Sequence, residues 1–378
     1  MLGQRKLVLD TLCEVYHVLR PWCDHEFWDF ASHDLVPDSI YVFGRNQMVA
    51  NIERIRNLCQ DPRYTLVFGN SAEGSSTLIA QLRVLGIDQQ VREGKILIIS
   101  GGDLSAEYPY MLHEHFLTRI LDYEENLREI SRYQETYQCT IKPYKFLFLN
   151  GRARPHRKYL LERLRLSGLL DQSLWTMLDG RGSGNRIFSL MHEGVDLVTT
   201  NSPIRHLPQH YEVARYRGRN VTSPDYPHQF IKYDLFADEW GEIYLEAAPY
   251  IDTYFSLVTE TVFDYPYSFR TEKIAKPLAM GHPWICASNR GFYRDMRRLG
   301  FQTFDKLVDE RFDLIDNNQD RMDAVLDCVR DLCNSDLASF LSEAEPICKY
   351  NQQHLEHVTR QERRSFPARF IDYVTAHG

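Results

Sequence analysis

The 378-residue sequence contains no apolar run close to the ~20 residues that a membrane-spanning helix needs. Its first residues, Met1–Lys6, are not followed by a long apolar segment, which argues against a secretory signal. Paired cysteines are missing too, because the eight cysteines are scattered without a Cys-x-x-Cys, as is typical of a reducing compartment. We therefore expect a cytoplasmic protein with no stable insertion into a membrane.

The chain also lacks an excess of positive charge. Its formal net charge is -8 at pH 7, with an isoelectric point of about 6.0. A protein whose main task is to bind DNA is more often basic. Nucleic acid is therefore not the expected partner, although a local basic patch is compatible with this charge.

Common nucleotide and metal motifs are missing as well. The loop within Phe68–Thr77 has neither the lysine of a P-loop nor a Gly-x-Gly-x-x-Gly pattern. His113 and His115 are two residues apart, which is the wrong spacing for one face of a helix. We therefore expect no metal site and no bound cofactor.

Short apolar runs, each followed by a glycine, are present instead. Their hydrophobicity is continuous rather than alternating, which is typical of strands covered on both faces and predicts a parallel sheet. In the first part of the chain these runs are Ile40–Phe43, Thr65–Phe68 and Lys95–Ile99. They predict an N-terminal Rossmann-like domain over residues 1–144, in which residues 1–30 are expected to be helical.

The pattern of apolar runs begins again at Lys145 and predicts a second Rossmann-like domain over residues 145–345. Residues 181–250 are expected to be an irregular insertion, and residues 346–378 a helical tail that packs back on the first domain. The predicted fold class is α/β, with two doubly wound domains facing across a cleft. The further strand-like runs are Lys145–Leu149, Leu174–Leu178, Val195–Val198, Tyr254–Val258 and Pro283–Cys286.

A strand followed by a short helix carries the first candidate site. The strand ends at Glu260, and the helix is predicted to begin at Thr271 as N-cap, followed by Glu272 and Lys273. A carboxylate there can accept hydrogen bonds from ribose hydroxyls, and the lysine and the helix N-terminus can neutralise a diphosphate. The alternative is that Glu272 and Lys273 are solvated charges of the first turn.

An arginine-rich turn, Asn150–Arg157, is the second candidate site. Arg152, Arg154, His156 and Arg157 place four potential cations where a helix begins, against the preference of its dipole. Arginine binds phosphate through two hydrogen bonds, so an anionic ligand would relieve this conflict. The alternative is a solvent-facing basic turn that pairs with surface carboxylates.

These segments resemble the donor half of nucleotide-sugar glycosyltransferases of the GT-B fold, closest to fucosyltransferase-like enzymes and related bacterial or viral enzymes. In that family a Thr-Glu-Lys step binds the donor nucleotide, and Lys-Pro-x-x-x-Gly-x-Pro follows it. The likeness covers roughly residues 145–325 in separate islands. The segments that carry it are Asn150–Arg157, Thr259–Thr261, Arg270–Lys273, Lys276–Pro283, Gly291–Phe301 and Asp309–Asp313.

The resemblance implies a metal-independent transfer of a sugar from a nucleotide-diphosphate sugar to a glycan or a lipid-linked acceptor. In that case Glu272 would hold the donor ribose. Lys273 and Arg157, with Arg152 or Arg154, would hold the diphosphate and stabilise it as it leaves.

An inverting enzyme of this kind would also need a general base in the first domain. Glu73, Asp103 and His33 are the candidates, whereas a retaining enzyme would not need one. Two other functions stay open: a glycosyltransferase that modifies DNA or protein, and a non-catalytic protein that binds nucleotide sugars.

Overall fold

The computed structural model describes residues 5–72, 74–136, 141–152, 154–179, 204–205, 215–216, 219–220 and 245–377. Glu73, the predicted strand Val195–Val198 and most of the predicted insertion lie outside these residues. The chain forms two compact units. Unit 1 comprises Met1–Thr118 with Val358–Gly378, and unit 2 comprises Arg119–His357.

Unit 1 is built on a six-stranded sheet in which every neighbouring pair is parallel, so the predicted parallel sheet is confirmed. The strands lie in the order β2-β1-β3-β4-β5-β6, and the direction of winding changes between β1 and β3. The strands are β1 (Lys6–Asp10), β2 (His25–Phe27), β3 (Ser39–Phe43), β4 (Tyr64–Asn70), β5 (Ile96–Ser100) and β6 (Tyr110–Leu112). The prediction that residues 1–30 are helical is therefore wrong for β1 and β2.

Helices lie between these strands, and apolar clusters cover both faces of the sheet. One cluster includes Phe43 and Ile98, and the other includes Leu9 and Ile99. Coverage on both faces explains the continuous hydrophobicity of the strands. The helices are α1 (Tyr16–Leu19), α2 (Arg45–Ala50), α3 (Ile52–Leu58), α4 (Ser75–Val84), α5 (Asp88–Arg92) and α6 (His115–Arg119).

Unit 2 contains four parallel strands in the order β13-β12-β7-β8, with a short antiparallel strand, β9, beyond β8. Here the winding changes direction between β7 and β12, and β12 is buried along its whole length. The strands are β7 (Tyr144–Arg152), β8 (Ser173–Asp179), β9 (Ile204–Arg205), β12 (Thr253–Thr259) and β13 (Trp284–Ala287), with a separate hairpin of β10 (Arg215–Tyr216) and β11 (Arg219–Asn220).

The helices of unit 2 are α7 (Glu124–Thr136), α8 (Pro155–Leu166), α9 (Ala248–Ile251), α10 (Glu272–Met280), α11 (Phe292–Arg298), α12 (Asn318–Cys333) and the first part of α13 (Leu337–His377). The last part of α13 belongs to unit 1, where Phe366, Phe370 and Val374 complete the second apolar cluster. Among the described residues, no helix combines the length and the apolar character needed to cross a membrane. The fold is thus mixed α/β, with parallel sheets of six and four strands.

Candidate functional site

The two candidate sites of unit 2 meet where its sheet reverses its winding. Strands β7 and β12 are neighbours, and three hydrogen bonds join the end of β7 and the first turn of α8 to Thr259 and Glu260 at the end of β12. The Thr259 hydroxyl donates to Asn150 Oδ1 at 2.6 Å, Arg157 Nη2 donates to the Thr259 carbonyl at 3.1 Å, and His156 Nε2 donates to the Glu260 carbonyl at 2.9 Å. Open α/β sheets bind ligands at such a switch point, outside the carboxyl ends of the strands.

Glu260 is fully buried and fixes the loop that follows β12. Its carboxylate accepts hydrogen bonds from the Thr271 amide at 3.0 Å, the Thr271 hydroxyl at 2.7 Å and the Thr261 amide at 3.1 Å. Burial raises the pKa of Glu260, and the nearby Lys273 opposes this rise. These contacts make Glu260 a residue that holds the start of α10 in place.

Thr271 is the N-cap of α10, as the sequence predicts. Its hydroxyl accepts a hydrogen bond from the Lys273 amide at 3.2 Å while it donates to Glu260. The helix ends at Gly281, whose φ of 71° is in the left-handed region. The N-cap at Thr271 and the helix end at Gly281 fix the bounds of α10, so that Glu272 and Lys273 lie in its first turn, next to the loop that follows β12.

Glu272 and Lys273 form a half-buried ion pair, with side chains 13% and 18% exposed. Burial alone would raise the pKa of Glu272, but Lys273 and then Lys276 outweigh it and hold that pKa at about 2. Lys273 Nζ also donates to the hydroxyls of Thr271 at 3.2 Å and Thr261 at 3.4 Å. The site thus presents an ionised acceptor beside a cation, both anchored and both reachable from solvent.

The arginine-rich turn is only partly exposed. His156 and Arg157 are buried, and the His156 ring stacks on Phe263 at 5.4 Å, so a solvent-facing basic turn is wrong for these two residues. Arg154 is half-buried at the N-cap position of α8. Arg152 lies at the end of β7, in register with Asp179 of β8. The buried His156 and Arg157 side chains donate to the carbonyls of Glu260 and Thr259, and therefore brace the start of the loop that leads to the ion pair.

A small pocket of about 270 Å³ is bounded by the same loop. Arg321 donates to the Phe263 carbonyl at 2.7 Å and to the Ser288 carbonyl at 3.2 Å, which fixes one wall. Burial raises the pKa of Asp264 to about 6. The lining residues are Phe263, Asp264, Tyr265, Pro266, Arg290, Arg294, Asp316, Asn318 and Arg321.

The candidate bases of unit 1 lie apart in its sheet. Asp103 follows β5 and accepts a hydrogen bond from the Tyr110 hydroxyl at 3.4 Å. His33 follows β2 and packs against Phe27, and burial lowers its pKa, which favours the neutral imidazole. Strands β2 and β5 are separated by three strands, or about four strand spacings. The structure does not bring these two residues together, and Glu73 lies outside the described residues.

One acidic residue at the switch point of unit 1 was missed from the sequence. Asp10 ends β1, is fully buried, and accepts hydrogen bonds from the amides of Gly44 at 3.0 Å and Leu12 at 2.9 Å. Burial raises the pKa of Asp10. The signal in the sequence is an acid directly after the apolar run Leu7–Leu9, within the residues that the sequence predicts to be helical.

Neither a protein-family model, nor a curated protein, nor a solved structure matches this chain. The fold and the site therefore define its class by themselves. It is a mixed α/β protein with two parallel sheets, in which an acid and a lysine open a helix at the switch point of the second sheet.

Proposed function

We propose that the protein is a glycosyltransferase with the two-domain GT-B arrangement, which takes its sugar from a nucleotide-diphosphate sugar bound by unit 2. The observation that carries this proposal is the Glu272–Lys273 pair at the start of α10, whose N-cap Thr271 is bound by Glu260 directly after β12, beside the switch point between β7 and β12. That position is where open α/β sheets bind nucleotides.

In this proposal Glu272 binds the ribose of the donor. With a pKa of about 2 it is ionised at neutral pH, and each of its oxygens can accept from a ribose hydroxyl. Lys273 turns from Glu272 towards the diphosphate, where the N-terminus of α10 adds further positive potential. The same charges stabilise the nucleotide diphosphate as it leaves, so the transfer needs no metal.

In this proposal the role of His156 and Arg157 is to hold other parts of the site in place. Both are buried and bind the carbonyls of Glu260 and Thr259. They hold the loop before α10 at the distance from β7 that the donor needs. Arg152, the last residue of β7, and Arg154, the N-cap of α8, supply the remaining positive charge for the diphosphate.

The acceptor in this proposal is a glycan or a lipid-linked sugar. If the enzyme inverts configuration, the general base towards the acceptor hydroxyl comes from unit 1, from among Glu73, Asp103 and His33. The lowered pKa of His33 gives it the neutral imidazole that a base requires.

Thermal unfolding in the presence of UDP, GDP, CDP and their sugars tests the donor site. One nucleoside diphosphate should raise the melting temperature, because a ligand at 100 times its Kd adds about 2.7 kcal/mol to the free energy of unfolding. Unchanged melting temperatures with all of these ligands would contradict the proposal. Release of free sugar from the matching nucleotide sugar then separates an enzyme from a protein that only binds.

A further inference from the structure

Three histidines of unit 1, distant in the sequence, meet in the structure. His17 lies in α1, His113 in the turn after β6, and His115 begins α6. One ring nitrogen from each lies within 4.8 Å of the other two. The ring centroids are 5.7, 5.6 and 5.9 Å apart, so the rings surround one point almost evenly.

The orientation of the His113 ring is fixed by the last helix. His113 Nδ1 lies 2.9 Å from Glu362 Oε1, and both oxygens of Glu362 accept from Arg369 Nη2 at 2.6 Å. Both oxygens of Glu362 accept hydrogen bonds from Arg369, so Glu362 is the acceptor towards His113 as well, and the hydrogen on His113 Nδ1 is the one donated. Nε2 therefore presents a lone pair.

No donor among the described residues reaches that lone pair. His113 is fully buried, and its Nε2 makes no hydrogen bond in the described residues. A buried acceptor without a donor is costly, and a bound cation would remove the cost. A carboxylate that orients a histidine through its other nitrogen is the usual outer partner of a metal-binding imidazole.

We propose that His17, His113 and His115 bind a divalent transition-metal ion of the Zn²⁺ class. Imidazole nitrogen suits zinc and its neighbours, and three protein ligands leave a fourth position for water or a substrate atom. Bonds of 2.0–2.1 Å require about 3.4 Å between ligand nitrogens, so the rings close by on the order of 1 Å on binding. Glu362 and Arg369 position the His113 ring and do not contact the metal.

The place of this cluster in the fold supports the assignment. His113 directly follows the carboxyl end of β6, and His17 lies in the first helix after β1, so both come from the edge at which open sheets bind ligands. All three ligands belong to unit 1, and the inference is therefore independent of the function proposed for unit 2.

Metal content of the full chain tests the proposal. Protein with a tag that contains no histidine is stripped with EDTA, loaded with Zn²⁺, dialysed and analysed by mass spectrometry for metal. We expect about one zinc per chain. His17→Gln changes a half-buried ring and should lower zinc affinity at least tenfold, and Glu362→Gln should lower it 10- to 100-fold, on the order found for outer partners.

His25→Gln is the matched control, because the His25 ring also packs against the ring of another histidine of unit 1, His33, with centroids 4.9 Å apart. It should retain full zinc content. Loading with Co²⁺ adds a spectroscopic readout, since His17→Gln should lose the visible absorption of the low-coordinate ion while circular dichroism stays unchanged. A wild type that takes up no more zinc than folded His17→Gln would overturn the proposal.

Discussion

Three buried or half-buried carboxyl groups near the end of β12 behave differently because their partners differ. Glu260 accepts three hydrogen bonds within its own loop, and Glu272 faces two lysines. Asp264 lines a pocket in which Arg321 lowers its pKa by less than burial raises it. The sequence predicted that acids would lie here. Their separate roles depend on the path of the loop formed by residues 260–271. The spacing of these acids in the sequence does not determine that path.

Replacing Glu272 by Ala should weaken binding of the nucleoside diphosphate about 10- to 100-fold, the value of one or two hydrogen bonds to a charged group. Lys273→Met should weaken both the nucleoside diphosphate and plain pyrophosphate, whereas Glu272→Ala should spare pyrophosphate because the lysine remains. Calorimetric titration measures both. Glu162→Ala, which removes a half-buried acid paired with Arg165, is the control and should change neither.

Asp264 should make stability fall as pH rises. Its folded pKa of about 6 lies above the 3.8 of an aspartate in the unfolded chain, so its contribution is fully present below about pH 3.8 and is lost as pH rises through about 6. Relative to Asp264→Asn, the wild type should lose about 2 kcal/mol between pH 4 and pH 7, after allowance for partial solvent screening. Urea unfolding of both proteins at the two pH values measures this, and a constant difference would contradict it.

At the scale of elements, buried strands were the most predictable part. The run Tyr254–Val258 became β12, and Lys145–Leu149 became β7, because a strand covered on both faces leaves a continuous apolar run. The same signal failed for β1, because its apolar run is only Leu7–Leu9 between Lys6 and Asp10, too short to distinguish a strand from a buried helical turn. Strand order and winding were not readable either, because they depend on contacts between distant segments.

The C-terminus of α10 offers a second test at this scale. Gly281 and Gly168 have the same φ of 71°. A Cβ at Gly281 would lie 3.3 Å from the Gln352 side chain, whereas at Gly168 it would meet no atom of the described residues within 4 Å. Gly168→Ala should cost about 1 kcal/mol for the left-handed backbone alone. Gly281→Ala should cost more, by the work of displacing Gln352. Chemical denaturation measures the loss in free energy of unfolding for both variants. Equal losses would show that displacing the Gln352 side chain costs nothing.

At the scale of the whole chain, unit 1 is discontinuous. Residues 358–378 return to it after the whole of unit 2, and Phe366, Phe370 and Val374 enter its core beside Leu7 and Leu9. The tail, residues 346–378, is polar at first and then aromatic, and this pattern predicted a helix that packs on the first domain. The histidine cluster was harder to predict from the sequence. The spacing rule for one face of a helix does not apply to His113, which precedes α6, and no feature of the sequence indicates that His17 lies near His113 and His115.

Deleting residues 358–378 should therefore destabilise unit 1 strongly. Each buried phenylalanine is worth about 3–5 kcal/mol, so the loss of two approaches the total stability of an ordinary domain. Hydrogen exchange should show β3 to β5 unprotected, while β12 and β13 in unit 2 keep their protection. Deleting only residues 375–378 removes no core side chain and serves as the control. Full protection of β3 to β5 in the longer deletion would contradict this account.

The return of α13 to unit 1 also has a consequence for synthesis on the ribosome. The chain emerges from its N-terminus, so the six strands of unit 1 leave the exit tunnel while Phe366, Phe370 and Val374 are still untranslated. Unit 2 is complete about twenty residues before unit 1 can close its core. The nascent sheet of unit 1 must therefore wait with one apolar face exposed, and a chaperone that shields such surfaces would act on this half of the protein.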